Sequence, residues 1–381
     1  MADESQLSPF VFALQGGLVL DRSTFTMEAG MAFELENFES DPRGGYRRIN
    51  GYADSFAAVT GTSIASAAAF SRIAWPEMKK AGYNHSFALG AISGSACLGM
   101  LIPPSVLLIV WGIITEDSIG KLFVAGVIPG ILLALLYVSY NLIRAVMKPE
   151  LAPEPDKIGI TAKLTKTEIY SGFSIIASIF LVLGGIWGGI FTATEAAGMG
   201  AIASFIIALC KGMKFKGVVA SVIDAGKTSA PIMILLITAG MYSRFLSLSD
   251  INSIILEAIT SVGLNQFAIL IMMVAIWLLL GMLLDSISII LLTVPLFIHL
   301  VPEMNPYAFA IFGILAIEAG LLTPPFGLIV YTVKGVLTGS NDNVPLGTIF
   351  MGSIPYWIMM LFVMVMVYLM PELASWPTKF V

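Results

Sequence analysis

The chain has 381 residues, 57% of them hydrophobic and only 12% charged, with a formal net charge of −5. Soluble domains carry about 25% charged residues, so the composition excludes an ordinary soluble domain and indicates a polytopic membrane protein, each of whose helical spans needs about 20 apolar residues. The basic residues lie in short segments between apolar runs, which leaves no nucleic-acid-binding face. Cys97, Cys210, His85 and His299 make neither a disulfide framework nor a metal-ligand spacing.

The opening MADESQLSPF has neither the basic nor the apolar region of a signal peptide. A short apolar span is expected at Pro9–Leu20, followed by an acidic amphipathic stretch to Asp41. Tyr52–Trp75 is rich in small residues and reads as a hairpin. Apolar spans follow at Ser86–Ile114, Leu122–Val146, Tyr170–Phe191, Glu195–Cys210 and Ser229–Phe245. Phe267–Leu284 and Ile287–Val301 read as the arms of a second hairpin, and Tyr307–Val333 and Thr348–Met370 as the last two spans. Met147–Thr167 is polar, holds Pro149, Pro153 and Pro155, and divides the chain.

Two of these spans carry the same device. Pro103-Pro104 interrupts the first and Pro324-Pro325 the second. Proline lacks the amide donor and clashes with the preceding turn, so paired prolines break a helix. A break inside hydrocarbon survives only where the freed backbone groups face protein, water or an ion. The glycines Gly61 and Gly281, the two proline pairs, Pro9 with Pro231, and Pro129 with Pro355 recur in order at a spacing of roughly 220 residues.

Orientation follows from the basic residues. Lys148, Lys157, Lys163 and Lys166 mark the linker, and Lys211, Lys214 and Lys216 return to the same side after a tight helical pair. The positive-inside rule makes that side cytoplasmic. Counting spans away from the linker gives the two halves opposite courses. The expected fold is therefore an all-α polytopic membrane protein, an inverted repeat with two re-entrant hairpins and two proline-broken helices. The first repeat is 1–146, with its hairpin at about 52–75 and its broken helix at about 86–114. The linker is 147–167 and the second repeat 168–381, with hairpin at about 267–301 and broken helix at about 307–333. The second repeat has two spans before the segment that pairs with Pro9, and the first has no counterpart. The repeat arithmetic thus expects two spans missing at the N-terminus, in a chain that is truncated or whose start is misassigned.

Several residues invite chemistry. The first tip, Thr60-Gly61-Thr62-Ser63-Ile64-Ala65-Ser66, offers hydroxyls and a turn that suit a hard cation such as Na⁺; it also suits a small-residue packing face. Asp285, between two apolar runs, is a functional candidate because charge at membrane depth is expensive; the other reading is a cap on the helix that follows. Glu318, six residues before Pro324, either faces the broken helix or pairs with a neighbouring span. Glu195 reads as a helix cap after Thr194. Gly184, Gly185, Gly188 and Gly189 read as a close helix-packing face, and Lys79-Lys80 as a cytoplasmic anchor.

From Gly44 to Met370 these motifs resemble the large membrane subunit of tripartite ATP-independent periplasmic (TRAP) transporters. The residues that carry the resemblance are Gly61-Thr62-Ser63-Ile64-Ala65, Pro76-Glu77-Met78, Gly82-Tyr83, Gly99-Met100-Leu101-Ile102-Pro103-Pro104-Ser105, Gly281 through Asp285, and Glu318 through Gly327. The resemblance implies a bacterial or archaeal cytoplasmic (inner) membrane protein without enzyme activity. It implies Na⁺-coupled uptake of a small organic acid, a periplasmic substrate-binding protein that delivers it, and a small membrane subunit. It places Na⁺ at Gly61, Ser63, Pro103 and Ser105, and at Asp285, Thr323 and Pro325. Substrate contact falls to Thr62, Ser63, Ser105, Asp285 and Thr323. The chain departs from the family pattern at Ser66, where the family often has Asp, and at Ile329, where it often has Asn. Alternatives are a self-sufficient Na⁺/dicarboxylate or citrate-type carrier and an inactive truncated remnant. An intramembrane aspartyl protease has little support, since Asp285 lacks the protease motif and a second partner. No phosphate-binding loop supports ATP-driven transport.

Overall fold

A computed structural model of the chain describes residues 63–80, 82–151, 166–210, 215–249, 265–339 and 342–381, with isolated residues between 250 and 264. The expected span at Pro9–Leu20, the first arm of the first hairpin and most of the linker lie outside the described residues.

Every described element is helical. The first half contains α1 (Ser63–Lys80), α2 (His85–Leu98), α3 (Val106–Thr115) and α4 (Ile119–Met147). Next come α5 (Lys166–Trp187), α6 (Ala193–Cys210) and α7 (Phe215–Leu248). The rest is α8 (Gln266–Gly281), α9 (Ser286–Phe297), α10 (Pro306–Leu322), α11 (Leu328–Gly339), α12 (Leu346–Leu369) and the short α13 (Glu372–Ser375). Local sequence sets the starts. Asn84, Ser105, Ser118, Asn265, Asp285 and Asn305 each accept an amide hydrogen bond from the first turn of the helix they precede, the work of an N-cap.

Among the described residues, three helices are long and apolar enough to cross a membrane unbroken: α4, most of α7, and α12. At 1.5 Å per residue, α4 is about 43 Å long, against a hydrocarbon core of about 30 Å. The two proline-bearing spans behave differently. α2 stops at Leu98 and α3 starts at Val106; α10 stops at Leu322 and α11 starts at Leu328. Each half-helix is only about 15–26 Å long, too short to cross alone. Pro129 and Pro355, by contrast, sit inside α4 and α12 without ending them.

The packing is reciprocal. α1 lies against α11, the second half of the second broken helix. α9, the second arm of the second hairpin, lies against α3, the outgoing half of the first broken helix. α10 runs through the centre, buried from Ala308 to Leu322 and packed on α8 and α12. Gly313 of α10 makes room for Trp111 of α3, and Phe309 meets Trp111 edge to face and Trp277 at a tilt. At one end of the bundle, the Asn84 amide donates to the Leu151 carbonyl at the start of the linker. Lys79 at the end of α1 pairs with Asp342, just beyond α11, and the Trp75 indole donates to the same carboxylate at 2.8 Å.

Three local readings change. The helix expected from Ser229 starts at Phe215; Lys216, Asp224 and Lys227 lower its hydropathy without interrupting the backbone. The glycine cluster does not build a face between helices. Gly184 meets no neighbouring atom, Gly185 accommodates the Phe191 ring, and Gly189, at φ +67°, closes the end of α5. Glu195 is a cap as expected, though the helix starts at Ala193, two residues before it, and its partner is Thr192. The Glu195 carboxylate accepts from the Thr192 amide at 2.8 Å, and the Glu195 amide donates to the Thr192 hydroxyl at 3.3 Å, a reciprocal capping box.

Candidate functional site

The tip of the second hairpin rests on the end of α10 through two glycines. A Cβ on Gly281 would lie 2.8 Å from Gly320 Cα, and one on Gly320 would lie 3.0 Å from Gly281 Cα. Only residues without a side chain permit backbones this close. The contact holds Ser286, the first residue of α9, over Glu318, and the Ser286 hydroxyl donates to Glu318 Oε1 at 2.6 Å.

Glu318 is 2% exposed. The Ser63 hydroxyl, from the start of α1, and the Cys97 thiol of α2 face the same carboxyl group. Cys97 Sγ also reaches the Glu318 backbone oxygen at 4.0 Å, across a sequence separation of 221 that equals that between Pro103 and Pro324. α1, α2, α9 and α10 therefore each bring a group to one point. Glu318 Oε2 has no hydrogen-bond partner among the described residues. Stripping water from a carboxylate costs several kcal/mol. A hydrogen bond to a charged group returns about 1.5–3 kcal/mol, and a helix N-terminus up to about 2 kcal/mol. These magnitudes are comparable, so a small change at Ser63 or Ser286 changes the balance at Glu318.

The residues singled out in the sequence fall in several environments. Gly61 and Thr62 lie outside the described residues; Ser63 is buried beside Glu318. Asp285 is partly exposed and caps α9, accepting from the Ser288 amide at 3.1 Å and the Ser288 hydroxyl at 2.5 Å. Thr323 follows α10 and donates to the Ala319 carbonyl at 2.7 Å. The two breaks differ. Pro103, Pro104 and Ser105 are buried, whereas Pro324, Pro325 and Phe326 are exposed. At the first break the Ser105 hydroxyl donates to the Met100 carbonyl at 2.5 Å, and the Leu101 carbonyl presses on Gly126 of α4, where a Cβ would fall 2.3 Å from it. The Met100 carbonyl near that break is thus occupied by the protein itself. Pro104 lines an apolar cleft between α3, α4, α5 and α6. Ser66 and Ile329, the departures from the family pattern, are both buried. Glu318 was legible as a candidate, but its convergence with Ser63, Cys97 and Ser286 was not.

What these elements can do is limited and specific. The starts of α3 and α9 carry a hydroxyl and a carboxylate cap and present partial positive charge, which suits an anion. Carboxylate, hydroxyl and carbonyl oxygens suit a hard cation or a proton. Among the described residues no cluster of three metal-ligating side chains is present. Apolar helices and helices broken at paired prolines together define a multi-pass membrane protein of the secondary-transporter class.

The sequence profile described as "Tripartite ATP-independent periplasmic transporter, DctM component" matches residues 25–373, and the chain belongs to that family. It is 31% identical over 316 residues to the C4-dicarboxylate TRAP transporter large permease protein DctM of Pseudomonas aeruginosa, a match covering 82% of this chain and 72% of that protein. It is 29% identical over 327 residues to the ectoine TRAP transporter large permease protein TeaC of Halomonas elongata, covering 84% and 74%. The sialic acid TRAP transporter permease protein SiaT of Haemophilus influenzae is 27% identical over 343 residues, covering 87% of this chain and 53% of that protein. These relatives are permeases, and the chain is a transporter subunit, not an enzyme.

Proposed function

We propose that this chain is the large membrane permease of a Na⁺-coupled importer of small organic acids in a bacterial or archaeal inner membrane. A periplasmic protein binds the acid and delivers it, and a small membrane subunit completes the assembly. Relatives named for C4-dicarboxylates and sialic acid support a carboxylate-bearing substrate. The observation that carries the reading is the meeting of Ser63 and Ser286, from the two hairpin tips, at Glu318, five residues before Thr323 and the second proline pair. Helix N-termini there favour the substrate carboxylate, and the caps and breaks supply oxygens for Na⁺. Asp285, Thr323 and Pro325 form one proposed Na⁺ site; Gly61, Ser63, Pro103 and Ser105 form the other, and Thr62 joins the substrate contacts. The reciprocal packing of α1 on α11 and α9 on α3 supports an inverted repeat of 1–146 and 168–381 about the linker, with Lys79, Leu151 and Asp342 at the cytoplasmic face.

The test is uptake of a radiolabelled C4-dicarboxylate, sialic acid or ectoine into liposomes holding the assembled transporter. Uptake is expected to require an inward Na⁺ gradient and the binding protein, and to proceed without ATP. Uptake without the binding protein assigns the chain to the self-sufficient carriers, and uptake indifferent to Na⁺ removes the coupling ion.

A further inference from the structure

We propose that Phe326, in the break between α10 and α11, is a specificity residue. Its ring stands in a water-filled cavity and favours a monocarboxylate whose remaining body is apolar, an aryl acid above all, over a dicarboxylate. The inference rests on the transporter reading above and narrows its substrate class.

Pro324, Pro325 and Phe326 belong to no helix and are exposed, Phe326 by 51%. They lie between half-helices of 17 and 12 residues, about 26 Å and 18 Å long, so the break falls inside a hydrocarbon core about 30 Å thick. Non-helical backbone at that depth persists only against protein or beside water, because lipid leaves its amides and carbonyls unpaired. This stretch is not packed on protein, so it lines water, and the Phe326 ring with it. The ground beside it is aromatic too. Phe350 covers Gly327, with a ring carbon 2.8 Å from where a Cβ would stand, and meets Tyr331 edge to face at 6.4 Å.

A second negative charge on the substrate would find no countercharge here. Among the described elements packed on α10 and α11, α2, α3, α8, α9, α12 and α13 contain no lysine or arginine, and neither does α10 itself. Lys334 of α11 donates to Asn343 Oδ1 at 3.3 Å and to the Val344 carbonyl at 2.8 Å. Arg72 of α1 lies nine residues along the helix from Ser63, about 14 Å away. Lys79, which pairs with Asp342, and Lys80 end α1, and Lys121 and Arg144 lie near the ends of α4. A carboxylate is met by helix starts, as above. Beyond it, the exposed ring is apolar surface left in water, and an apolar body gains by covering it. A carboxylate in that place would lose water and face the negative side of the ring.

The experiment uses the assembled transporter, with phenylacetate and succinate as probes. In liposomes, a charged thiol reagent supplied on both sides should modify F326C and spare F362C, because Phe362 is equally exposed but lies within the membrane-crossing α12; C210S serves as the background. An unmodified F326C overturns the proposal. In detergent with Na⁺ present, phenylacetate should raise the melting temperature at lower concentration than succinate does. F326A should need about tenfold more phenylacetate for the same rise, the worth of one aromatic contact, and F362A should match wild type. Equal responses to the two acids in wild type overturn the proposal, and so does a wild-type response in F326A. If F326A fails to assemble, the wild-type preference between the two acids decides alone. Uptake is scored separately: phenylacetate uptake indifferent to Na⁺ would refute the proposed function and not this residue's role.

Discussion

Gly281 and Gly320 stand backbone to backbone, with a hypothetical Cβ on either one 2.8–3.0 Å from the other's Cα. The second hairpin tip is therefore seated by an absence of side chain, and the seat fixes where Ser286 and Glu318 meet. A methyl group in this contact collides with backbone, which cannot rotate out of the way. We predict that Gly281→Ala and Gly320→Ala each destabilise the assembled protein by about 1–3 kcal/mol, the usual cost of forcing volume into a packed contact. Thermal unfolding in detergent measures the cost. Gly184→Ala is the control, since open space surrounds that position; equal losses at Gly184 and Gly320 would remove the close-contact argument.

The two proline pairs share a sequence but not an environment, and the difference predicts different failures. Proline is about 3 kcal/mol worse than alanine inside a helix, so replacing either pair favours one continuous helix. Pro324 and Pro325 are exposed, and Pro324→Ala with Pro325→Ala should cut transport while leaving abundance near wild type. Pro103 and Pro104 are buried, with the adjacent Leu101 carbonyl pressed on Gly126. The corresponding double variant there should lose abundance as well as transport. Wild-type uptake rates in both double variants would make the breaks mere packing kinks.

Asp342 carries a pH dependence whose sign is fixed. Hydrogen bonds from Lys79 and Trp75, and the Lys79 charge, hold its carboxyl below the usual aspartate range. A carboxyl that is more acidic in the folded state contributes stability above its unfolded value of about 3.9. That contribution is lost as pH falls through the lower, folded value. The pair joins the end of α1 to the loop after α11, so it ties α1 to the second broken helix. Asp342→Asn should lower the melting temperature at neutral pH, and the gap to wild type should close in acid. A gap that is constant with pH would show that the ion pair adds nothing. Raised salt should narrow the gap too, because Lys79 is exposed.

How much of this was legible follows from what each residue type forces locally. Paired prolines break a helix, and a helix ends and another begins around each pair, between Leu98 and Val106 and between Leu322 and Leu328. Charge and hydropathy identify a membrane protein, but hydropathy also trims α7, since Lys216, Asp224 and Lys227 look like a boundary and are helical. The glycine cluster shows the opposite failure: spacing that fits helix packing serves a helix end closed by Gly189. The central site was the hardest to read. α10 is buried on every side from Ala308 to Leu322, so no apolar stripe reveals which way Glu318 points. Asp285 drew more weight in the sequence because it sits between two apolar runs, where a charge is expensive. In the fold, Ser286, the residue after Asp285, reaches the buried carboxyl, while Asp285 turns back to cap its own helix.

That capping geometry supplies a clean test of Asp285. Its carboxylate accepts the Ser288 amide at 3.1 Å and the Ser288 hydroxyl at 2.5 Å, and it is partly exposed. Asparagine caps a helix about as well as aspartate, whereas alanine costs roughly 0.5–2 kcal/mol. Asp285→Asn therefore removes the charge and keeps the cap, and Asp285→Ala removes both. If the carboxylate serves Na⁺, the Asn variant should keep its melting temperature and need several-fold more Na⁺ for half-maximal uptake. The Ala variant should show that weakening together with a loss of stability. If Asp285 is a cap alone, the Asn variant should match wild type in both measurements and only the Ala variant should suffer. A wild-type Na⁺ requirement in Asp285→Asn would therefore remove Asp285 from the proposed ion site and leave Thr323 and Pro325 to account for it.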